Sequence, residues 1–159
     1  MNQGGLQEGS ADGDGERRES HRMEQPSRLI DDDVRVLLIE DDEAVAEMYR
    51  MRLNADGYSV TIAADGEQGL RLAHDEQPDL IYLDLRLPTL DGLEVLERLR
   101  QDRATSGIPV VIVTNYGEPE LRERGLKLGA LEFLVKSETT PAHLAETLER
   151  LSKEPTVTP

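Results

Sequence analysis

From Val34 onward the chain alternates short aliphatic runs with segments of helical periodicity, and this alternation limits the possible folds more than any other feature. Residues 36–39, Val-Leu-Leu-Ile, form an unbroken apolar run, which is typical of a strand buried on both faces of a parallel sheet. Between about Glu43 and Ala55 apolar residues recur at steps of three and four, which indicates a helix, and Gly57 ends it. The alternation predicts an α/β protein in which helices connect parallel strands.

The same pair of patterns continues to about residue 152. We predict strands at residues 36–39, 58–63, 80–83, 110–113 and 133–135, and helices at about 43–55, 66–74, 92–103, 119–128 and 141–152. Three helix starts carry cap signals, namely Asp65 with Gln68, Asp91 with Glu94, and Thr140 with Pro141. Five strands and five helices predict a three-layer protein with an open parallel sheet between two helical layers.

The first part of the chain has a different composition. Residues 1–27 contain only four apolar side chains, so they cannot bury enough surface to offset the entropy lost on ordering. We therefore predict a disordered acidic N-terminal tail at residues 1–33, one domain at residues 34–152 and a short C-terminal tail at residues 153–159.

Charge and composition exclude several classes of protein. The chain has 33 acidic and 18 basic residues, a net charge of −15; residues 1–33 hold 9 acids and 4 bases, and residues 34–159 hold 24 and 14. Both parts would repel phosphate backbones and anionic lipids, so we expect no nucleic-acid and no membrane partner. The absence of cysteine excludes disulfides and thiol chemistry. No run approaches the roughly 18 apolar residues of a membrane span, and the first thirty residues lack a secretory signal, so we expect a cytoplasmic protein.

Polar side chains follow four of the five predicted strands. They are Glu40-Asp41-Asp42 after the first, Asp84 after the third, Thr114-Asn115 after the fourth and Lys136-Ser137 after the fifth. Carboxyl ends of parallel strands lie at one edge of a sheet, where ligands of such folds bind. Clustered carboxylates without His or Cys favour Mg²⁺, although Asp42 fits a helix N-cap better than a metal ligand. A cation, an ammonium and a hydroxyl together suit a phosphoryl group, which a carboxylate can accept as an acyl phosphate.

With these residues in place, the stretch from about Val34 to Ser152 resembles the receiver domain of two-component response regulators. The matching residues are the pair Glu40-Asp41, Asp84 in Leu83-Asp84-Leu85-Arg86-Leu87-Pro88 leading to Asp91-Gly92, Thr114 and Lys136. The intervals of 43, 30 and 22 residues between Asp41, Asp84, Thr114 and Lys136 also agree with that family. The resemblance implies a flavodoxin-like (βα)5 fold with strand order 2-1-3-4-5.

The resemblance implies a phosphoacceptor and a metal site. Asp84 would accept the phosphoryl group from the phosphohistidine of a sensor histidine kinase or a phosphotransfer protein. Asp41, Asp84 and the backbone carbonyl of Arg86 would ligate Mg²⁺, and Glu40 would act largely through a bound water. The new group would bring roughly −1.5 to −2 charges to an anionic edge, which is why a cation is needed there.

The resemblance also implies how the phosphoryl group is held and sensed. Lys136 would pair with its oxygens, Thr114 would move to hydrogen-bond them, and Phe133 stands at the position of an aromatic switch, although core filler is an equally good reading of Phe133. Two residues depart from the family pattern. Asn115 replaces a small residue and would alter the lifetime of the phosphoryl group, and Ser137 replaces a proline, so we expect an ordinary trans peptide there.

We expect a stand-alone receiver that is not an enzyme beyond self-phosphorylation and autodephosphorylation, with an output through a downstream protein target or onward phosphotransfer. The resemblance places the contact face on the last two helices and the strand between them, a face that could also pair two copies of the chain. Its candidate residues are Leu121, Arg122, Leu126, Lys127, Phe133 and His143. Two other readings remain open: a phosphohydrolase with Asp84 as covalent nucleophile, and a degenerate receiver that acts as a constitutive adaptor.

Overall fold

The computed structural model describes residues 34–153, and these form a five-stranded parallel sheet between two layers of helices. The strands are β1 (Arg35–Ile39), β2 (Ser59–Ala63), β3 (Leu80–Leu83), β4 (Val110–Thr114) and β5 (Glu132–Val135). The α-helices are α1 (Glu43–Ala55), α2 (Gly66–Glu76), α3 (Gly92–Gln101), α4 (Pro119–Lys127) and α5 (Pro141–Lys153), and a 3₁₀-helix covers Lys136–Glu138. The observed order, β2-β1-β3-β4-β5, confirms the predicted flavodoxin-like fold.

Alternate strand residues build two separate core layers. Leu37, Ile39, Ile81 and Leu83 pack with residues of α2, α3 and α4, whereas Leu38 packs with residues of α1 and α5 on the other face. Burial on both faces explains the unbroken apolar runs, because neither face of a central strand meets water. The predicted tail at residues 1–33 and the last six residues, 154–159, lie outside the described residues.

The helix caps agree with the sequence signals at most positions. The Asp42 carboxylate accepts hydrogen bonds from the N–H groups of Ala44 and Val45, so Asp42 caps α1 as we expected. Asp65 and Thr140 likewise accept hydrogen bonds within the first turns of α2 and α5. Helix α3 begins at Gly92 as predicted, but the expected capping bond is absent.

Asp91 occupies the N-cap position of α3, but its side chain makes no capping hydrogen bond. The start of this helix is tied to the strand end before it, because the Gly92 N–H donates to the carbonyl of Leu85 at 2.9 Å. The helix also ends at Gln101, before the predicted Arg103, since Asp102 turns to an extended conformation and accepts the Ala104 N–H.

The loop between β3 and α3 contains a strained residue. Thr89 has a φ of 64°, and the Leu90 N–H donates to the carbonyl of Pro88 at 2.6 Å, which closes a three-residue γ-turn of the positive-φ form. Positive φ is costly for a β-branched residue. The strain lies five residues after Asp84 in the same loop.

Arg100 ties two loops together at the other edge of the sheet. Its guanidinium donates to the carbonyls of Ser106 (3.1 Å), Ile108 (2.9 Å) and Gly129 (3.1 Å). These carbonyls precede β4 and β5, so Arg100 holds the amino ends of both strands. None of the helices described between residues 34 and 153 is long and apolar enough to cross a membrane.

Candidate functional site

The register of the central strands brings two carboxylates together. Ile39 pairs with Leu83, so the next residues, Glu40 and Asp84, lie side by side, and the Asp84 N–H donates to the Ile39 carbonyl at 3.0 Å. Together with Asp41 they offer carboxylate oxygens that all lie within 4.8 Å of one another. Glu40 and Asp84 are buried and Asp41 is exposed, so the cluster has one open side.

Lys136 joins the two buried carboxylates. Its Nζ lies 2.7 Å from Glu40 Oε1 and 3.0 Å from Asp84 Oδ2, and its side chain is only 13% exposed. The position of this lysine follows from the sheet, because Thr114 pairs with Val135 and Lys136 is the next residue. One ammonium therefore serves two carboxylates that start from different strand ends.

The protonation equilibria reflect this crowding. Burial raises the pKa of Asp84, the neighbouring Glu40 carboxylate adds to the rise, and Lys136 opposes it. Burial works to lower the pKa of Lys136, but its bonds to Glu40 and Asp84 outweigh that effect and raise it. The charged form of Asp84 is thus disfavoured by its burial beside another acid, and a cation bound there would relieve that cost.

A residue that sequence reasoning missed completes the buried side of the site. The hydroxyl of Tyr82 donates to Glu40 Oε1 at 2.8 Å, and burial raises the pKa of this phenol so that it remains a donor. Tyr82 lies two residues before Asp84 in β3 and is fully buried. The sequence did carry a signal for this contact, namely a tyrosine within an otherwise aliphatic strand. Because a buried phenol normally needs a hydrogen-bond partner, that tyrosine indicates a polar group nearby.

Asp84 also contacts the loop that connects β3 to α3. Asp84 Oδ1 accepts the Arg86 N–H at 3.2 Å, and the exposed Arg86 guanidinium stacks over the Tyr116 ring at 3.9 Å. Tyr116 follows β4, and its N–H donates to Thr114 Oγ1 at 3.4 Å. A cation–π contact thus links the loop after Asp84 to the loop after Thr114.

The other predicted residues occupy the following positions. Thr114 is fully buried at the end of β4, while Asn115 is exposed beside it. Phe133 is buried, and its carbonyl accepts a bond from the Arg122 guanidinium, which lies 5.9 Å from its ring centre. The 34–153 region contains no cis peptide bond, so the peptide before Ser137 is trans.

Gly92 lies directly against the site. A Cβ added at Gly92 would stand 2.5 Å from both the Asp84 carbonyl oxygen and Leu85 Cα, closer than real Cβ contacts allow. The start of α3 therefore packs on the backbone that carries Asp84, and only glycine permits this approach.

The three carboxylates fit a hard divalent cation. They supply oxygen donors only, from Glu40, Asp41 and Asp84, and this is the set that Mg²⁺ accepts while keeping several waters. A groove of about 440 Å³ runs beside Glu40 and Asp41, along the first turns of α1 and the end of β2. Asp42 points its carboxylate into the helix cap and away from a metal role.

The predicted contact face is partly apolar. Leu126 is 40% exposed on α4, as expected from its place off the core stripe, whereas Leu121 and Leu128 pack against the core and Gly125 is buried. Leu131, just before β5, is 51% exposed, and the sequence pattern did not predict this.

Comparison with known proteins matches residues 36–149 to a family model described as the response regulator receiver domain. The chain is 41% identical over 117 residues to the DNA-binding dual master transcriptional regulator RpaA of a Synechocystis strain, covering 74% of this chain and 47% of RpaA. The chain thus spans about half the length of the curated relatives it matches.

Solved structures show the same likeness. A CheY-like response regulator receiver domain protein from Methanospirillum hungatei superposes with a TM-score of 0.69 at 30% identity, covering 74% of this chain and 92% of that one. The Mn²⁺-bound form of the response regulator Rcp1 superposes with a TM-score of 0.65 at 27% identity, covering 79% of this chain and 99% of Rcp1.

Proposed function

The chain belongs to the response regulator receiver family, and from that premise we propose that it accepts a phosphoryl group on Asp84 from a partner histidine kinase or phosphotransfer protein. The observation that carries the proposal is the buried Asp84 carboxylate, which lies with Glu40 and Asp41 within 4.8 Å and with Lys136 at 3.0 Å. These groups suit an anionic transferring group, since phosphoryl transfer depends on positioning and charge neutralisation.

In this proposal Asp41, Asp84 and the Arg86 carbonyl hold Mg²⁺, and Glu40 contributes through a water. When bound, the ion would offset the negative charge that develops on the phosphoryl oxygens. The three carboxylates support this choice, because they offer a hard cation oxygen donors alone. The structurally similar response regulator Rcp1 has been solved in a Mn²⁺-bound form, which adds support from a related protein.

The transfer step uses a carboxylate oxygen of Asp84 as the nucleophile. A bond forms from this oxygen to phosphorus while the bond from phosphorus to the donor imidazole nitrogen breaks, and the imidazole leaves with the electron pair. Lys136, already within hydrogen-bond distance of Asp84, would pair with the phosphoryl oxygens, and Thr114 would donate its hydroxyl to them. The group is lost by hydrolysis: water attacks phosphorus and gives up a proton to solvent, the bond from phosphorus to the Asp84 oxygen breaks, and the carboxylate leaves with the electron pair as inorganic phosphate forms.

We further propose that the phosphorylated form acts by binding a protein target or by passing the group on, in the cytoplasm. The face formed by α4, β5 and α5 would make this contact, and Phe133 and Thr114 would couple it to Asp84. RpaA is described as DNA-binding, and this chain matches about half of that protein. The −10 charge of residues 34–159 disfavours direct contact of this region with nucleic acid.

The test is phosphorylation with a small acyl phosphate donor. The full chain, incubated with MgCl₂ and acetyl phosphate, should gain the mass of one phosphoryl group, stable in acid and labile in base. Asp84→Asn should show no gain, while Asp75→Asn, at an exposed aspartate of α2, should behave as the wild type.

A gain that persists in Asp84→Asn would contradict the assignment of the acceptor. Sustained multiple turnover of a phosphomonoester would instead support the phosphohydrolase reading. Target binding that is equal with and without the phosphoryl group would support the constitutive adaptor.

A further inference from the structure

The hydroxyl of Tyr82 is a polar group in an apolar layer. The side chain is fully buried among residues packed against α1 and α5, and its ring lies 5.3 Å from the Tyr49 ring. A buried hydroxyl without a partner is destabilising, and this one finds its partner in Glu40 Oε1 at 2.8 Å. The bond runs from the core to the acidic edge of the sheet.

Among the described residues, three groups donate to the Glu40 carboxylate, and these groups differ in how firmly the fold fixes them. The Asp42 N–H holds Oε2 at 3.1 Å and belongs to the start of α1. Tyr82 holds Oε1 from a central strand. Lys136 also contacts Oε1, at 2.7 Å, but it is shared with Asp84 at 3.0 Å.

The difference between the fixed donors and the shared Lys136 matters when a phosphoryl group is added to Asp84. If Lys136 turns toward a phosphoryl group on Asp84, Glu40 loses one of its two donors at Oε1. The bond from Tyr82 would remain and would keep the carboxylate in place. In other metal sites, the hydrogen-bond partners that orient nearby carboxylates influence metal affinity.

We propose that Tyr82 is a positioning residue of the site: its buried hydroxyl fixes the Glu40 carboxylate for the metal-bound water and leaves Lys136 free to move from Glu40 to the phosphoryl group. The inference rests on the proposed function, because it assigns Glu40 and Lys136 their roles there. Tyr82 touches neither metal nor phosphoryl group, and it acts only through Glu40.

The change Tyr82→Phe removes one oxygen and keeps the ring, so the packing against Tyr49 is retained. We expect Mg²⁺ to bind about fivefold more weakly to this variant, less than the tenfold or greater loss that follows removal of a direct outer-shell partner, because Tyr82 acts one step further out through Glu40. The matched control is Tyr49→Phe, which removes a hydroxyl from the neighbouring buried ring and should change Mg²⁺ affinity less than about twofold.

The experiment is calorimetric titration of the full chain with MgCl₂ alone. It is carried out on the wild type, both tyrosine variants, Glu40→Ala and the double variant Glu40→Ala with Tyr82→Phe. Near-ultraviolet circular dichroism in EDTA checks that each variant is folded. If Tyr82 acts through Glu40, the loss caused by Tyr82→Phe disappears in the Glu40→Ala background, which a merely structural role would not produce.

The outcomes separate this inference from the proposed function. A wild type that neither binds Mg²⁺ nor takes up a phosphoryl group from acetyl phosphate would overturn the proposed function, and this inference with it. A wild type that does both, beside a Tyr82→Phe variant equal to Tyr49→Phe, would overturn this inference alone. An equal loss from Tyr82→Phe with and without Glu40 would also overturn it.

Discussion

Arg100 offers a test of which contacts stabilise the domain. This test does not depend on the role proposed for Asp84. Its guanidinium donates to three backbone carbonyls, those of Ser106, Ile108 and Gly129, at 2.9 to 3.1 Å. The change Arg100→Met keeps most of the side-chain volume and removes all three bonds.

The expected loss follows from the surroundings of each bond. The bond to Ile108 is partly buried, and a hydrogen bond to a charged group contributes about 1.5–3 kcal/mol in such a place. The two bonds to exposed carbonyls contribute less, about 0.5 kcal/mol each. The free energy of unfolding should therefore fall by about 3 kcal/mol, which corresponds to a Tm lower by about 12 °C for a domain of this size.

Urea and thermal unfolding, followed by far-ultraviolet circular dichroism, measure this loss. Arg98→Met is the matched control on the same helix, because the Arg98 side chain forms an exposed ion pair with Glu94 and its loss should cost about 0.5 kcal/mol or less. Arg100→Lys should recover only part of the stability, since an ammonium does not reproduce the planar fork. Phosphorylation at Asp84 should persist in all three variants, because Arg100 lies at the opposite edge of the sheet.

Equal stability of Arg100→Met and Arg98→Met would refute this role for Arg100. So would an Arg100→Lys variant as stable as the wild type, since charge alone would then account for the effect. A loss of phosphorylation at a temperature where Arg100→Met is folded would show that the two edges of the sheet are coupled.

Three further predictions concern the metal site, the acid–base behaviour and the backbone. MgCl₂ at a hundredfold excess over Kd should stabilise the wild type by about 2.7 kcal/mol and Asp41→Asn much less, as thermal unfolding against EDTA controls will show; equal stabilisation would exclude Asp41 as a ligand. The bond to Asp102 (3.0 Å) raises the pKa of His74 from 6.5 and lowers that of Asp102 from 3.8, so the stability from this pair is full between pH 3.8 and 6.5. It declines as pH rises through the raised His74 pKa and is lost as pH falls through the lowered Asp102 pKa. The advantage of the wild type over His74→Gln in urea should thus be smaller at about pH 8.5 than at about pH 5.5, and a constant difference would contradict the linkage. Thr89→Gly should raise the free energy of unfolding by roughly 0.5–1 kcal/mol, because relief of the left-handed strain exceeds the entropy cost of glycine; a lower urea midpoint would show that the Thr89 side chain stabilises the loop.

The fold and the meeting of the strand ends could be predicted because both depend on periodicity. Unbroken aliphatic runs identify buried parallel strands, and parallel strands place their carboxyl ends at one edge. The proximity of Glu40 to Asp84 and of Lys136 to both follows from that geometry. The roles of these residues remain proposals.

Other contacts could not be predicted from local patterns. The bond from Tyr82 to Glu40 depends on a side-chain rotamer across 42 positions of sequence, and Tyr82 could equally have been read as one more strand residue. Arg100 looks like an ordinary helical arginine until the loops at Ser106 and Gly129 are placed beside it. The strain at Thr89 lacks the usual signal, because no Gly, Asn or Asp stands there.

The close approach of Gly92 ties one side of the Asp84 backbone to the start of α3. With no room for even a methyl group between the start of α3 and the Asp84 backbone, we expect the two to shift together. Asn115, by contrast, is exposed at the end of β4, so a small shift there meets solvent and not a packed helix. A glycine with no functional group of its own thus sets how closely α3 can follow the backbone that carries Asp84.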